Sequence, residues 1–221
     1  MHLQGSLRPR RQNCALDAMR SIVVGQGYAI SMTQAKPKLQ TFADFLAYDD
    51  GTERYYEWTN GELIEVPPES DENVIIARAL DRALSDIVDF RRVRAHQLAL
   101  EMPGQPRNRF PDLTVLRPEQ PEQLQSLGQS AITLEMAPPL LVVEVVSPGV
   151  ENARRDYIEK RNQYEWRGIP EYWIVDPHQG RVTVLAMVGG AYQETLFEGA
   201  ARVVSPTFHD WRLTVDEMLA S

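Results

Sequence analysis

The residue that most demands a chemical explanation is Glu144, set in the run Leu141-Val142-Val143-Glu144-Val145-Val146. Every neighbour favours burial, and a lone ionised carboxylate among them needs a partner or a cation. A strand-end Glu paired with a buried Arg is the bland alternative, but strands this apolar seldom admit a charge for packing alone. Asp112 follows Pro111 and opens Asp112-Leu113-Thr114-Val115-Leu116. A Pro-Asp pair by itself usually means turn chemistry. Its weight here comes from the second carboxylate, expected on a neighbouring strand. Two acids converging from adjacent strands make an oxygen site of the kind Mg²⁺ takes. Such a cation polarises a phosphodiester and lowers the pKa of a bound water.

Strand alternation puts Leu140, Val142, Glu144 and Val146 on one face. A cationic helper for Glu144 must then come from an element covering that face. The following segment offers one: Ala153, Tyr157, Lys160 and Tyr164 form a helical stripe with Lys160 in its middle. A lysine stem reaching solvent is the ordinary explanation of such a residue, and Glu144 is what favours the functional one. Asp156, one turn before Lys160, can orient it or simply pair with it. Asp176, before Pro177, reads as a turn residue. His96, His178 and His209 are isolated, with no metal-ligand spacing among them. Cys14 has no credible His partner for thiol chemistry. Ser147-Pro148-Gly149 ends a strand rather than forming a nucleophile elbow, and no Gly-rich phosphate loop is present.

The elements that must carry these residues alternate between strand and helix signals. Thr41 caps a short helix through Tyr48, with Asp44 as capping-box partner. Residues 54–58 and 62–66 flank Asn60-Gly61, a strong hairpin signal. Pro67 and Pro68 stop the second strand, and Ser70 caps a long helix with Ile76, Leu80, Ala83, Leu84 and Ile87 on one stripe. Residues 93–101 read as one strand and 113–116 as another, with a polar, partly helical connection over 118–138. Residues 140–146 form a central strand covered on both sides. A helix over 152–167 closes at Gly168, and strands follow over 171–175, 181–187 and 192–197.

The chain has 221 residues, enough for one sizeable core, with 43% hydrophobic and 24% charged residues as in ordinary globular proteins. No apolar run is long enough for a bilayer, so no membrane partner is expected. A single cysteine fits a reducing, cytoplasmic setting. The net charge of −8 argues against coating nucleic acid non-specifically. It leaves room for a nuclease whose field is supplied locally by a cation and a basic patch. Arg91, Arg92, Arg94, Arg107, Arg109 and Arg117 cluster in the central segment, most simply as a solvated face. Residues 1–31 read as a disordered extension, with Met32 a candidate start, and 32–221 as a single domain.

Pro111-Asp112, then Glu144, then a lysine displaced onto the next helix resembles the PD-(D/E)XK nuclease superfamily in its migrated-lysine form. More narrowly, the chain resembles the Uma-two endonuclease family. The matching segments are Tyr56-Glu57 with Asn60-Gly61-Glu62-Leu63-Ile64-Glu65, Arg109-Phe110-Pro111-Asp112-Leu113, Val143-Glu144-Val145-Val146-Ser147-Pro148, and Glu171-Tyr172-Trp173-Ile174-Val175-Asp176-Pro177. The resemblance runs from about residue 38 to the C-terminus. It implies an α/β fold with a restriction-endonuclease-like core, a mixed central sheet flanked by helices, an added N-terminal hairpin and added C-terminal strands. It implies a Mg²⁺-dependent endodeoxyribonuclease, with Mn²⁺ able to substitute and DNA as substrate. Asp112, Glu144 and the Val145 carbonyl would hold the metal, Lys160 would orient the nucleophile or stabilise charge, and Glu62 would be the extra upstream acid. A homodimer is expected, since cutting both strands often uses two sites in two-fold symmetry. One departure stands out: Asn73 occupies the place where members often carry a His. The rival is a catalytically silent nucleic-acid-binding or regulatory module on the same scaffold.

Overall fold

A strand with apolar side chains on both faces is stable only in the middle of a layered structure. In the computed structural model, which describes residues 39–220, Leu141–Val145 takes that position. The chain begins with helix α1 (Phe42–Leu46) and the hairpin β1 (Tyr56–Thr59) and β2 (Glu62–Glu65). Thr41 and Asp44 make both bonds of a capping box, and Asn60 and Gly61 take the positive φ the tight turn requires. Helix α2 (Asp71–Ser85) follows, capped by Ser70 and burying Ile76, Leu80 and Leu84. The expected extension over 1–31, the start at Met32 and Cys14 lie outside the described residues.

Residues 93–101 form two strands rather than one. β3 (Val93–Ala95) joins the large sheet, and β4 (Ala99–Glu101) enters a smaller one with β5 (Asn108–Arg109) and β7 (Ala131–Ile132). The chain turns at His96 and Gln97 between them, with Gln97 N–H donating to the Ala95 carbonyl at 2.6 Å. β4 is buried throughout, whereas β3 buries Val93 alone and Ala95 is exposed. The polar connection carries helix α3 (Gln120–Leu127).

The six-stranded sheet has the order β11-β10-β9-β8-β6-β3, from β6 (Leu113–Val115), β8 (Leu141–Val145), β9 (Glu171–Asp176), β10 (Arg181–Val188) and β11 (Ala191–Glu198). β8 runs parallel to β9 and the remaining pairings are antiparallel. The sheet is therefore mixed, as expected. Alternation divides β8 between two cores. Leu141, Val143 and Val145 face α2 and the C-terminal helix α6 (Val215–Leu219), together with Trp173 and Trp211. Val142 and Val146 face the opposite way, towards Tyr164, Tyr172 and Ile174.

The helix expected over 152–167 is three joined pieces: α4 (Val150–Arg154), a π-helical turn Arg155–Lys160, and α5 (Arg161–Arg167). A π-turn widens the helix by one residue and is common where a side chain must be re-aimed at a site. Gly168 then closes α5 at φ 77°, a conformation a side chain would strain.

Candidate active site

Glu144 is the one charged side chain of β8 and points, with Val142, away from α2 and into the second core. It is 1% exposed. The π-turn carries two groups towards it, Asp156 and Lys160, both buried. Lys160 Nζ donates to Glu144 Oε2 at 2.7 Å, and Tyr164 OH donates to Glu144 Oε1 at 2.5 Å. Lys160 Nζ also lies 2.8 Å from Asp156 Oδ1, an ion pair without hydrogen-bond alignment. The stripe read from the sequence thus meets the face it was expected to cover.

Asp112 stands one residue before β6, whose register sets Leu113 opposite Val143 of β8. The Val145 N–H donates to Asp112 Oδ2 at 2.6 Å, locking one carboxylate oxygen to the end of β8. Oδ1 faces His96 Nδ1 at 3.6 Å. The Val145 carbonyl accepts from Asn73 Nδ2 at 2.9 Å, and the same amide reaches Ser147 Oγ at 2.9 Å. Asn73 therefore pins α2 to the end of β8.

The charges of this cluster do not balance. Asp112, Glu144 and Asp156 are all buried, and Lys160 is the one buried ammonium among them. Burial raises the Glu144 carboxyl, Lys160 opposes that, and Asp112 adds to it. Burial likewise raises Asp156, against the pull of Lys160. For Lys160 itself burial favours the neutral form, but Glu144, Asp156 and Asp112 together override it and hold the amine charged. One ammonium shared among three buried acids leaves room for further positive charge. Arg155, half-buried and 3.7 Å from Asp156, supplies part of it. A divalent cation fits such a donor set, because hard oxygen ligands with excess negative charge are what it takes.

A cavity of about 300 Å³ opens over the cluster, lined by Lys160, Arg155, His96, Glu69, Glu57 and Phe110 among others. Its walls come from the β1–β2 hairpin, the approach to α2, the turn after β3 and the α4 region. Glu57 is held by Arg109, whose Nη1 donates to Glu57 Oε1 at 2.9 Å while its Nε donates to Gln163 at 2.9 Å. Arg109 is thus buried, and the arginine-rich segment is not all solvated face. Arg92 and Arg117 also turn inward, donating to the Leu116 and Pro138 carbonyls.

Three expected residues, Asp112, Glu144 and Lys160, come together with the Val145 backbone between the two acids. Glu62 does not join them. It is exposed at the turn end of the hairpin, paired with Thr59, and does not line the cavity. Glu57 lies on the same face of the hairpin, farther from the turn, and lines the cavity instead, with Glu69, just before α2, as a second acid there. His96, isolated in the sequence, is brought beside Asp112 by the turn after β3. No spacing rule reveals that contact, because it joins residues on different elements. Asp176 takes the turn role expected of it, accepting from Gln179 N–H at 3.0 Å.

Among the described residues no helix is long and apolar enough to cross a membrane. No curated protein matches the chain. Among solved structures, the chain is similar to one described as a "putative nuclease belonging to DUF820" from Anabaena variabilis ATCC 29413. The two share 18% identity with a TM-score of 0.57, over 82% of this chain and 98% of that one. At that identity the likeness speaks for the fold, which is restriction-endonuclease-like. A family description, Uma2 "Putative restriction endonuclease", matches residues 42–216. That span takes in the hairpin, both acids and the lysine-bearing helix, and the chain belongs to the Uma2 family.

Proposed function

We propose that this protein is a divalent-metal-dependent DNA endonuclease hydrolysing phosphodiester bonds at the Asp112–Glu144–Lys160 cluster. The observation that carries the reading is the 2.7 Å contact between Lys160 Nζ and Glu144 Oε2, beneath an open cavity and beside a second buried acid. Asp112, Glu144 and the Val145 carbonyl are the groups that would hold the ion, Mg²⁺ by the hardness of these oxygens and Mn²⁺ as a substitute. When bound, the ion would supply Lewis acidity towards the scissile phosphate. The chain's own groups do the rest. Lys160 brings a fixed positive charge to the phosphate as negative charge develops there. Asp156 holds that ammonium from the other side, and Tyr164 fixes the rotamer of Glu144. A homodimer in a cytoplasmic setting completes the proposal; light scattering in solution tests the former.

A catalytically silent nucleic-acid-binding module is the second reading. It is favoured by one observation: both Glu144 oxygens and the Val145 carbonyl already accept bonds from protein donors. Incubation with supercoiled, linear, branched and single-stranded DNA, with and without Mg²⁺ or Mn²⁺, separates the two. The enzyme cuts at least one form only with metal, and Asp112→Ala and Glu144→Ala abolish the cut. Cleavage by either variant at the parent rate would remove the assignment.

A further inference from the structure

The cavity is lined by two donors that the Asp112–Glu144–Val145 set does not use, Glu69 and His96, and Asp112 stands beside them. One carboxylate oxygen each from Glu69 and Asp112 and one ring nitrogen of His96 lie within 4.8 Å of one another. We infer that Glu69, His96 and Asp112 form a mixed nitrogen–oxygen cation site that takes a transition-metal ion such as Co²⁺ in preference to Mg²⁺. The inference shares Asp112 with the proposed catalytic cluster and deepens that reading, but ion binding here does not depend on cleavage.

The spacing between His96 and Asp112 is the first support. Their Nδ1 and Oδ1 atoms stand 3.6 Å apart, too far for a hydrogen bond, and Nδ1 is buried with no hydrogen-bond partner. Two ligand atoms at about 2.1 Å from one tetrahedral ion stand about 3.4 Å apart. The spacing of the pair suits two ligands of one ion.

Each donor is also held by something else. Asp112 has Oδ2 bound to the Val145 N–H, which turns Oδ1 towards the imidazole. The His96 ring packs against Tyr55 at 5.6 Å and Phe110 at 6.3 Å between centroids. Glu69 follows Pro67-Pro68, directly precedes the cap of α2, and has Oε2 3.4 Å from Asn73 Nδ2. Donors fixed by surrounding contacts lose little freedom on binding an ion. Glu144, by contrast, has each oxygen committed to Lys160 or Tyr164.

Chemistry then selects the ion. Magnesium favours carboxylate, carbonyl and water oxygens, whereas an imidazole nitrogen suits the later first-row ions, whose affinities rise from manganese through cobalt and nickel. His96 is the donor that makes this distinction.

Calorimetric titration of the full chain with Co²⁺ and with Mg²⁺, beside the visible absorption of bound Co²⁺, tests the inference. The parent is expected to bind Co²⁺ at least about tenfold more tightly than Mg²⁺. His96→Gln should weaken Co²⁺ about tenfold or more, change its absorption band, and leave Mg²⁺ within about threefold. Glu69→Gln, at a half-buried position outside any strand, should weaken both ions. An unchanged Co²⁺ to Mg²⁺ ratio in a folded His96→Gln would overturn the inference. So would loss of all Co²⁺ binding in Glu144→Gln with His96→Gln unaffected; that places the ion on Glu144 and leaves the nuclease reading standing. Conversely, the expected titrations together with intact DNA under every ion would support the cation site while removing the nuclease reading.

Discussion

Glu144 of β8 and Glu171 of β9 are both acids among apolar residues, Glu144 between valines and Glu171 between Ile169-Pro170 and Tyr172-Trp173, and both are buried. They sit on neighbouring parallel strands yet answer burial differently. Glu171 points to the α2 side, where Trp173 Nε1 donates to Oε1 at 2.5 Å and Ser205 Oγ and the Thr207 N–H donate to Oε2, each at 3.0 Å. It is satisfied by neutral donors and ties the C-terminal segment to the sheet. Glu144 points the other way, to the charged Lys160 ammonium, near two further acids and beneath a cavity that Lys160 lines. The same buried charge is a structural fastening in one place and, in the reading proposed above, a metal ligand in the other. What differs is whether the surrounding donors leave unbalanced charge next to open space.

Substitutions at the two positions can break that contrast. Glu144→Gln is expected to lose at least about 100-fold in metal-dependent cleavage while its unfolding temperature holds or rises, because repulsion with Asp112 is relieved. Lys160→Met should lose cleavage on a similar scale and in addition destabilise the fold by roughly 3–5 kcal/mol near pH 7, since two buried acids lose their cation. The sign of its pH dependence follows from the raised Glu144 and Asp156 carboxyls. Their contribution is fully present below the ordinary carboxyl pKa and is lost as pH rises through the higher folded values. Thermal melts of Lys160→Met should therefore fall from pH 4 towards pH 8 more steeply than those of the parent.

The mirror experiment is Glu171→Gln. One acceptor oxygen becomes a donor facing donors, so stability should drop by about 1–3 kcal/mol in denaturant titration while cleavage per folded molecule stays within about threefold. A selective loss of cleavage there would erase the distinction between the two acids. Asp156→Asn sharpens it: Lys160 keeps Glu144 but loses its second anchor, so kcat should fall about tenfold with KM little changed. The smallest effect is expected from Glu62→Gln, within about twofold in single-turnover rate, as for an exposed surface carboxylate.

Much of the route to this site was legible in the chain itself. The Leu141–Val146 run announces a central strand, and its alternation assigns Glu144 to the face that the Tyr157–Lys160–Tyr164 stripe covers. Those are short-range regularities, with periods of two and about three and a half residues. The capping boxes, the Asn60-Gly61 turn and the Gly168 stop belong to the same class. The place of Glu62 is set by more than local pattern. A hairpin read correctly still does not say how far along its strands the cavity begins, so Glu57 and Glu69 line it while Glu62 does not.

Local pattern determined the principal strands and helices, which acid had to be buried, and which lysine could reach it, because each of those depends on neighbours a few residues away. Tertiary structure alone decided that the chain breaks at His96, that the helix carries a π-turn presenting Asp156 beside Lys160, and that Asp112 is locked by the Val145 N–H. Those contacts join residues on separate elements, and their distances follow from sheet order and helix packing, to which no local periodicity is sensitive.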